Sequence, residues 1–183
     1  MPITGWVLKN SKNEEMKIGK GAYFVFSAQI NQEIDILLAP GAKVYVNTPR
    51  SPIGANFQTN ICTGYFEQFQ DFIPSLRKDC PHPYKDISPS ANLKDKCLDY
   101  IERLPRCEMP INNIPWDLDD ACRKYLSENI NYNSCVANHR KDKNFYSNEW
   151  RIYLGRGKEL WKSRRETITL YDQLGKIIDS ISY

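Results

Sequence analysis

The cysteines constrain this chain more than any other feature. There are six, Cys62, Cys80, Cys97, Cys107, Cys122 and Cys135, and all lie in the middle, with none in the first 61 residues or the last 48. Their number is even and no two stand as Cys-x-x-Cys. Structural zinc sites rely on such close pairs, because two thiolates on one tight turn can reach one metal. Wide, irregular spacing suits disulfides better, with buried free thiols or a metal as the alternatives. Disulfides place a protein outside a reducing cytosol. Spacing alone does not choose the partners. Local closure favours Cys107 with Cys122, Cys62 with Cys80, and Cys97 with Cys135, so three bonds are expected to staple a small helical subdomain.

The segments around the cysteines differ in kind. Residues 1–59 read as β: "GWVLKN" starts a strand, and "AYFVFS" is a continuous apolar, β-branched and aromatic run of the buried-strand type. "EIDILLAPGAKVYVN" holds two strands with Pro40-Gly41 as a turn, and "KVYV" puts Val44 and Val46 on one face. Residues 60–147 carry helical spacing. "GYFEQFQDFI" places Tyr65, Phe66, Phe69, Phe72 and Ile73 on one side. "SANLKDKCLDYIERL" has a stripe of Leu93, Cys97, Ile101 and Leu104, with Ser90 or Asn92 as cap. "WDLDDACRKYLSEN" puts Asp117, Asp119 and Asp120 in a first turn and Leu118, Cys122, Tyr125 and Leu126 on its apolar face. Pro105 to Pro115 holds three prolines and cannot be one helix.

Residues 148–183 return to β. "EWRIYLG", "ETITLYD" and "KIIDSISY" alternate, and Gly175 is available for positive φ in the turn between the last two. A lone hairpin is marginal in water, so its strands need partners from the other end of the chain. Ile168 and Leu170, with Ile178 or Ile177 and Ile181, are expected to face the core, and Trp6 to be buried. Charge follows the same division: net +2 over 1–59, −2 over 60–149 and +3 over 150–183.

Taken together the two ends resemble the lamin tail domain. That family opens on a Gly-Trp-x-Leu strand, passes an aromatic strand and an apolar-Pro-Gly turn into Val-x-Val, and closes on Trp, a strand ending in Asp or Asn, a Gly turn and a Ser-Tyr-like ending. Gly5-Trp6, Pro40-Gly41, Trp161, Leu170-Tyr171-Asp172, Gly175, Asp179 and Tyr183 stand in those places, so the likeness covers about half the chain. It implies a mainly β fold: an immunoglobulin-like β-sandwich formed by residues 1–59 and 148–183, with the cysteine-rich helical segment 60–147 inserted where an ordinary member has a loop and a strand or two. In bacteria such domains occur in secreted or surface proteins, often attached to enzymes such as nucleases. In nuclear lamins the domain is a non-catalytic interaction module, and nuclear localisation does not carry over to this chain.

The residues themselves offer no catalytic constellation. His82, between prolines in "CPHPY", and His139, in the polar "NHRKDKNF", read as surface histidines. "DLDD" lacks the Gly bend and distal Glu of a calcium loop, and "GRG" lacks the spacing of a phosphate loop. No cofactor or metal is expected. No run of apolar residues is long enough to span a membrane. "MPITGWVLKN" has neither the basic start nor the apolar stretch of a signal peptide, so a secreted form is expected to have carried a leader absent from these residues.

One tract invites a partner. "RGKELWKSRRE" holds Arg156, Lys158, Lys162, Arg164 and Arg165 against Glu159 and Glu166, with Trp161 among them. Such a tract can contact a polyanion. The bland reading is a solvated loop with Trp161 turned into the core, and the net charge of +3 is mild. The sequence therefore leads to a non-catalytic extracellular or cell-surface module with a protein or glycan partner. The alternative is a nucleic-acid or polyanion binder using residues 156–165.

Overall fold

The structure is a computed structural model and describes residues 1–23 and 32–183. Strands β1 (Val7–Lys9), β2 (Glu15–Lys17), β3 (Gly21–Ala22), β4 (Lys43–Asn47) and β5 (Asn56–Asn60) come first. Helices α1 (Asp95–Glu102), α2 (Asp120–Asn129) and α3 (Tyr132–His139) follow, and then strands β6 (Tyr146–Tyr153), β7 (Thr167–Tyr171) and β8 (Ile177–Ser182). The apolar run expected as a strand in "AYFVFS" lies outside the described residues from Phe24 onward. The chain divides into two compact units, Met1–Thr59 with Asn148–Tyr183, and Asn60–Ser147. It is mainly β with a helical insert.

Among the described residues of the first unit two four-stranded sheets form, in the orders β2-β1-β7-β8 and β3-β5-β6-β4. The first is antiparallel throughout, with Leu8 opposite Met16 on one side and Leu170 on the other. In the second, β3 pairs with β5 and β4 with β6 in parallel. Both sheets contribute to one apolar cluster. Leu8, Ile168 and Leu170 come from the first; Val44, Val46, Trp150 and Ile152 come from the second; Trp6, 7% exposed, lies among them. Full burial of side chains this size contributes roughly 1.5–3 kcal/mol each.

The central strand β6 is buried on both faces. Trp150 and Ile152 enter the cluster, while Arg151, 2% exposed, donates to Glu149 at 2.9 and 2.8 Å and lies 4.4 Å from the centre of the Tyr45 ring. Those charges are paired, which a buried ion requires. The terminal hairpin closes as expected across Gly175 (φ +79°), and Tyr183 and Glu166 exchange backbone bonds of 2.9 and 3.1 Å. The core-facing expectation for its last strand fails. Ile177, Ile178 and Ile181 are 58%, 44% and 59% exposed. Strand β8 is the outermost of its sheet, and the apolar cluster ends under Ile168 and Leu170 of β7.

In the second unit all six cysteines form disulfides, paired Cys62–Cys135, Cys80–Cys107 and Cys97–Cys122. None of the locally closed pairings occurs. Helix packing, not nearness in sequence, selects the partners. Cys97 on α1 and Cys122 on α2 sit in one cluster with Ile101, Leu118, Leu126 and Ile130. Cys62 leads into a 3-10 helix, Thr63–Gln68, whose Phe66 ring stacks 4.4 Å from Tyr132 of α3, the helix that carries Cys135.

Three helical expectations are also adjusted. "GYFEQFQDFI" winds as that 3-10 helix and stops at Phe69, so Tyr65 and Phe72 are buried while Phe69 and Ile73 are exposed. Pro74 disfavours helical backbone at Ile73. Helix α1 has Lys94 at its N-cap position and no side-chain cap, because Asn92 takes the left-handed conformation that ends the preceding turn, Pro89–Ala91. Helix α2 begins at Asp120. Asp119 caps it by accepting the Cys122 N–H, and Asp117 lies ahead of it, bound to Lys96. No helix among the described residues is long and apolar enough to cross a membrane.

Candidate functional site

The basic tract joins β6 to β7. It leaves β6 alongside the end of β4, where Leu154, Gly155 and Arg156 donate backbone N–H groups to Asn47, Pro49 and Thr48 at 2.8, 3.1 and 2.9 Å. Its middle turns inward: Leu160 is 2% exposed and Trp161 packs partly buried against the same cluster. An apolar pair in a polar loop acts as its anchor, since burying it removes apolar surface from water.

Two polar side chains then fix the backbone. Asn10 is buried at the end of β1; its Nδ2 donates to the Leu160 carbonyl at 2.8 Å and to Glu14, while its Oδ1 accepts the Lys12 and Glu14 N–H groups. Glu166, 1% exposed, accepts backbone N–H groups from Ser11 at 2.7 Å, Thr167 at 3.0 Å and Lys162 at 3.0 Å. A bond from the Ser11 side chain foremost, then the backbone N–H bonds of Ser11, Lys162 and Thr167, hold its carboxyl down at about 2, as donors to the charged form do. The Tyr183 hydroxyl donates to the Lys162 carbonyl at 3.1 Å. Between Arg164 and Glu166, Arg165 takes φ +52°, an uncommon conformation for a residue with a side chain. That turn lets Glu166 point in while Arg164 and Arg165 stay exposed.

The five expected cations therefore divide. Arg156 is half-buried and reaches Glu14 at 3.7 Å. Lys158, Lys162, Arg164 and Arg165 are exposed and make no ion pair among the described residues; Lys162 reaches the Ser11 hydroxyl at 3.5 Å. Lys12, in the turn bound to the tract, is a further exposed cation that inspection of the tract missed. Glu166, counted from sequence as a balancing surface charge, is internal. Only Glu159 remains as an exposed carboxylate within the tract.

Other polar groups serve the second unit's own structure. His82 accepts the Tyr84 N–H and caps a short turn. His139 is not in a loop but ends α3, where Nδ1 meets Asp142 at 2.8 Å and Nε2 meets Asp86 at 3.0 Å. Its partial burial lowers its affinity for a proton, and the bonds to Asp142 and Asp86 outweigh that and raise it. Burial pushes the Tyr65 phenol up to about 12, with Asp86 adding to the shift. Among the described residues no three His, Cys, Asp or Glu side chains are grouped to hold a metal. Comparison of the chain with family models, with curated proteins and with solved structures finds no match.

Proposed function

We propose that this chain is a non-catalytic extracellular or cell-surface binding module of the lamin tail type, an immunoglobulin-like sandwich carrying a disulfide-held helical insertion. One observation carries the reading. Trp6, Val44, Val46, Trp161 and Leu170, which the family pattern singles out at opposite ends of the chain, pack into one cluster between two sheets. The three disulfides favour an oxidising compartment.

The displaced titrations favour binding over catalysis. A catalytic group needs its acid strength tuned and its proton free to move. Here the shifts come from scaffold bonds and burial: Glu166 is held by the Ser11 side chain and three backbone N–H groups, Asp119 is bound by Lys94 and by the α2 N-terminus, and Tyr65 is buried. The test is secretion of the chain, alkylation without reductant, and assay of the product against a broad panel of hydrolase substrates. The reading expects no alkyl uptake and no turnover. Turnover lost on a single substitution overturns it.

A further inference from the structure

We infer that the loop 158–165, together with Lys12, is a binding surface for an acidic polysaccharide, a polymer bearing carboxylate or sulfate groups. The inference rests on the binding-module reading and names its partner. Exposed lysines and arginines are common and individually weak binders, so their number alone decides nothing. Three features of this loop distinguish it.

The cations outnumber their counter-charges, with Glu159 the one exposed carboxylate within the loop. Lys12, Lys158, Lys162, Arg164 and Arg165 are exposed without an ion pair among the described residues. Glu166 is withdrawn to the interior, and Glu14 is taken by Arg156 and Asn10. A surface with five cations against one exposed carboxylate within the loop attracts a polyanion and releases its counterions.

The backbone under the charges is already ordered. Leu160 is fixed by burial and by Asn10, Lys162 by Glu166 and Tyr183, and Ser11 by Glu166. Binding therefore orders side chains only, which lowers the entropic cost of association.

The tract offers no row of aromatic faces, although Tyr183 is exposed beside it with its hydroxyl on the Lys162 carbonyl. Trp161, its single ring, packs against the core, and proteins that hold single-stranded nucleic acid rely on such faces to stack bases. Ser11 and Ser163 are exposed beside the cations instead, and a serine hydroxyl suits sugar hydroxyls. With the disulfides favouring an oxidising compartment, the partner that fits is an acidic polysaccharide and not a nucleic acid.

The test uses the full chain on immobilised heparin, polygalacturonate, neutral dextran, a DNA duplex and a single strand, across a salt series. Retention on heparin or polygalacturonate above physiological salt is expected, with none on dextran. Five neutralised charges predict a slope of log affinity on log salt near −3.5, at about −0.7 per charge for a flexible polyanion. The variant K158A/K162A/R164A/R165A, checked for wild-type unfolding temperature, should lose at least tenfold in affinity. Should it misfold, R164K/R165K keeps the charge and should keep most of the binding, whereas R164E/R165E should abolish it. Elution below physiological salt, binding unchanged in the charge-reversed variant, or tighter binding to either DNA at equal charge each overturns the inference. Cleavage of a bound polysaccharide sinks the non-catalytic reading and leaves the binding surface standing. Intact disulfides without turnover or polysaccharide binding remove the inference alone.

Discussion

Glu166 accepts the backbone N–H of Ser11 at 2.7 Å, a bond between residues 155 positions apart. It ties the loop before β7 to the turn after β1. The folded carboxyl titrates near 2, below its ordinary 4.5, so the folded state favours the charged form. The resulting stability is present above pH 4.5 and is lost as pH falls towards 2. Thermal unfolding of the wild type should therefore drop more steeply than that of E166Q between pH 5 and 2 (roughly the span of the shift). Parallel curves would show that the carboxylate contributes nothing through its charge.

Gly64 has no room for a side chain. A Cβ there would lie 2.5 Å from both the Arg77 carbonyl oxygen and the Cys107 Sγ, inside the Cys80–Cys107 bridge. Neither neighbour is a flexible side-chain end, so the backbone must move. G64A should cost about 1–3 kcal/mol, as overpacking does. Urea unfolding with disulfides intact measures it, and a midpoint within error of wild type refutes the close packing.

Cys97 and Cys122 join α1 to α2 across a separation of 25 residues. In the chain-entropy model closing such a loop is worth about 3.5 kcal/mol. C97S/C122S should lose stability on that scale in the helical unit while the sheets keep their β circular dichroism. Peptide mapping under non-reducing conditions should return the three pairs Cys62–Cys135, Cys80–Cys107 and Cys97–Cys122. Recovery of Cys107 bonded to Cys122 contradicts the arrangement of the two helices.

The parts of this fold legible in sequence are those set by local rules. Alternation and Gly175 mark the terminal hairpin, and Val44 and Val46 mark the inner face of β4. Strand β5 was not legible, because "NFQTN" is poor in β-forming residues and owes its place to distant contacts. Asn56 donates to the Lys20 carbonyl and accepts the Tyr153 N–H, at 2.8 and 2.7 Å. The alternation of "EWRIYLG" does not reveal that Glu149 and Arg151 are buried, satisfied by each other and by the Tyr45 ring. At the candidate site the cations are visible in the string. Their freedom from counter-charge is not, since it depends on burial of Glu166 by a residue at the far end of the chain.

Strand β8 covers the edge of β7 and buries none of its own residues. Deleting Ile178–Tyr183 removes the reciprocal Tyr183–Glu166 bonds, the Thr167–Ser182 and Thr169–Ser180 hydroxyl pairs, and the Tyr183 bond to Lys162. It also bares the backbone of β7, and an uncovered strand edge invites association. The truncated chain should aggregate in a concentration-dependent way, seen by light scattering, with loss of cooperative unfolding. A monomeric, cooperatively unfolding product would show that β8 only decorates the sheet.

His139 stands between two carboxylates, Asp142 at 2.8 Å and Asp86 at 3.0 Å, and it joins the end of α3 to the 3-10 turn Pro83–Asp86. The phenols of Tyr65 and Tyr125 both lie high, chiefly through burial, and feel the charge of Asp86 as well. They stay neutral through the range where the imidazole titrates, so the pH response belongs to His139 and its two acids. The folded imidazole holds its proton more tightly than the ordinary 6.5. A raised folded value means the stabilisation is fully present below pH 6.5 and is lost as pH rises through the folded titration. The unfolding temperature of wild type should therefore fall from pH 6 to pH 9, and H139Q, which keeps a polar side chain but no charge, should show a flatter profile. D86N should flatten it as well, because the imidazolium loses one of its two partners. If H139Q and wild type change in parallel across that range, the bracket is neutral and its contribution comes from hydrogen bonding alone.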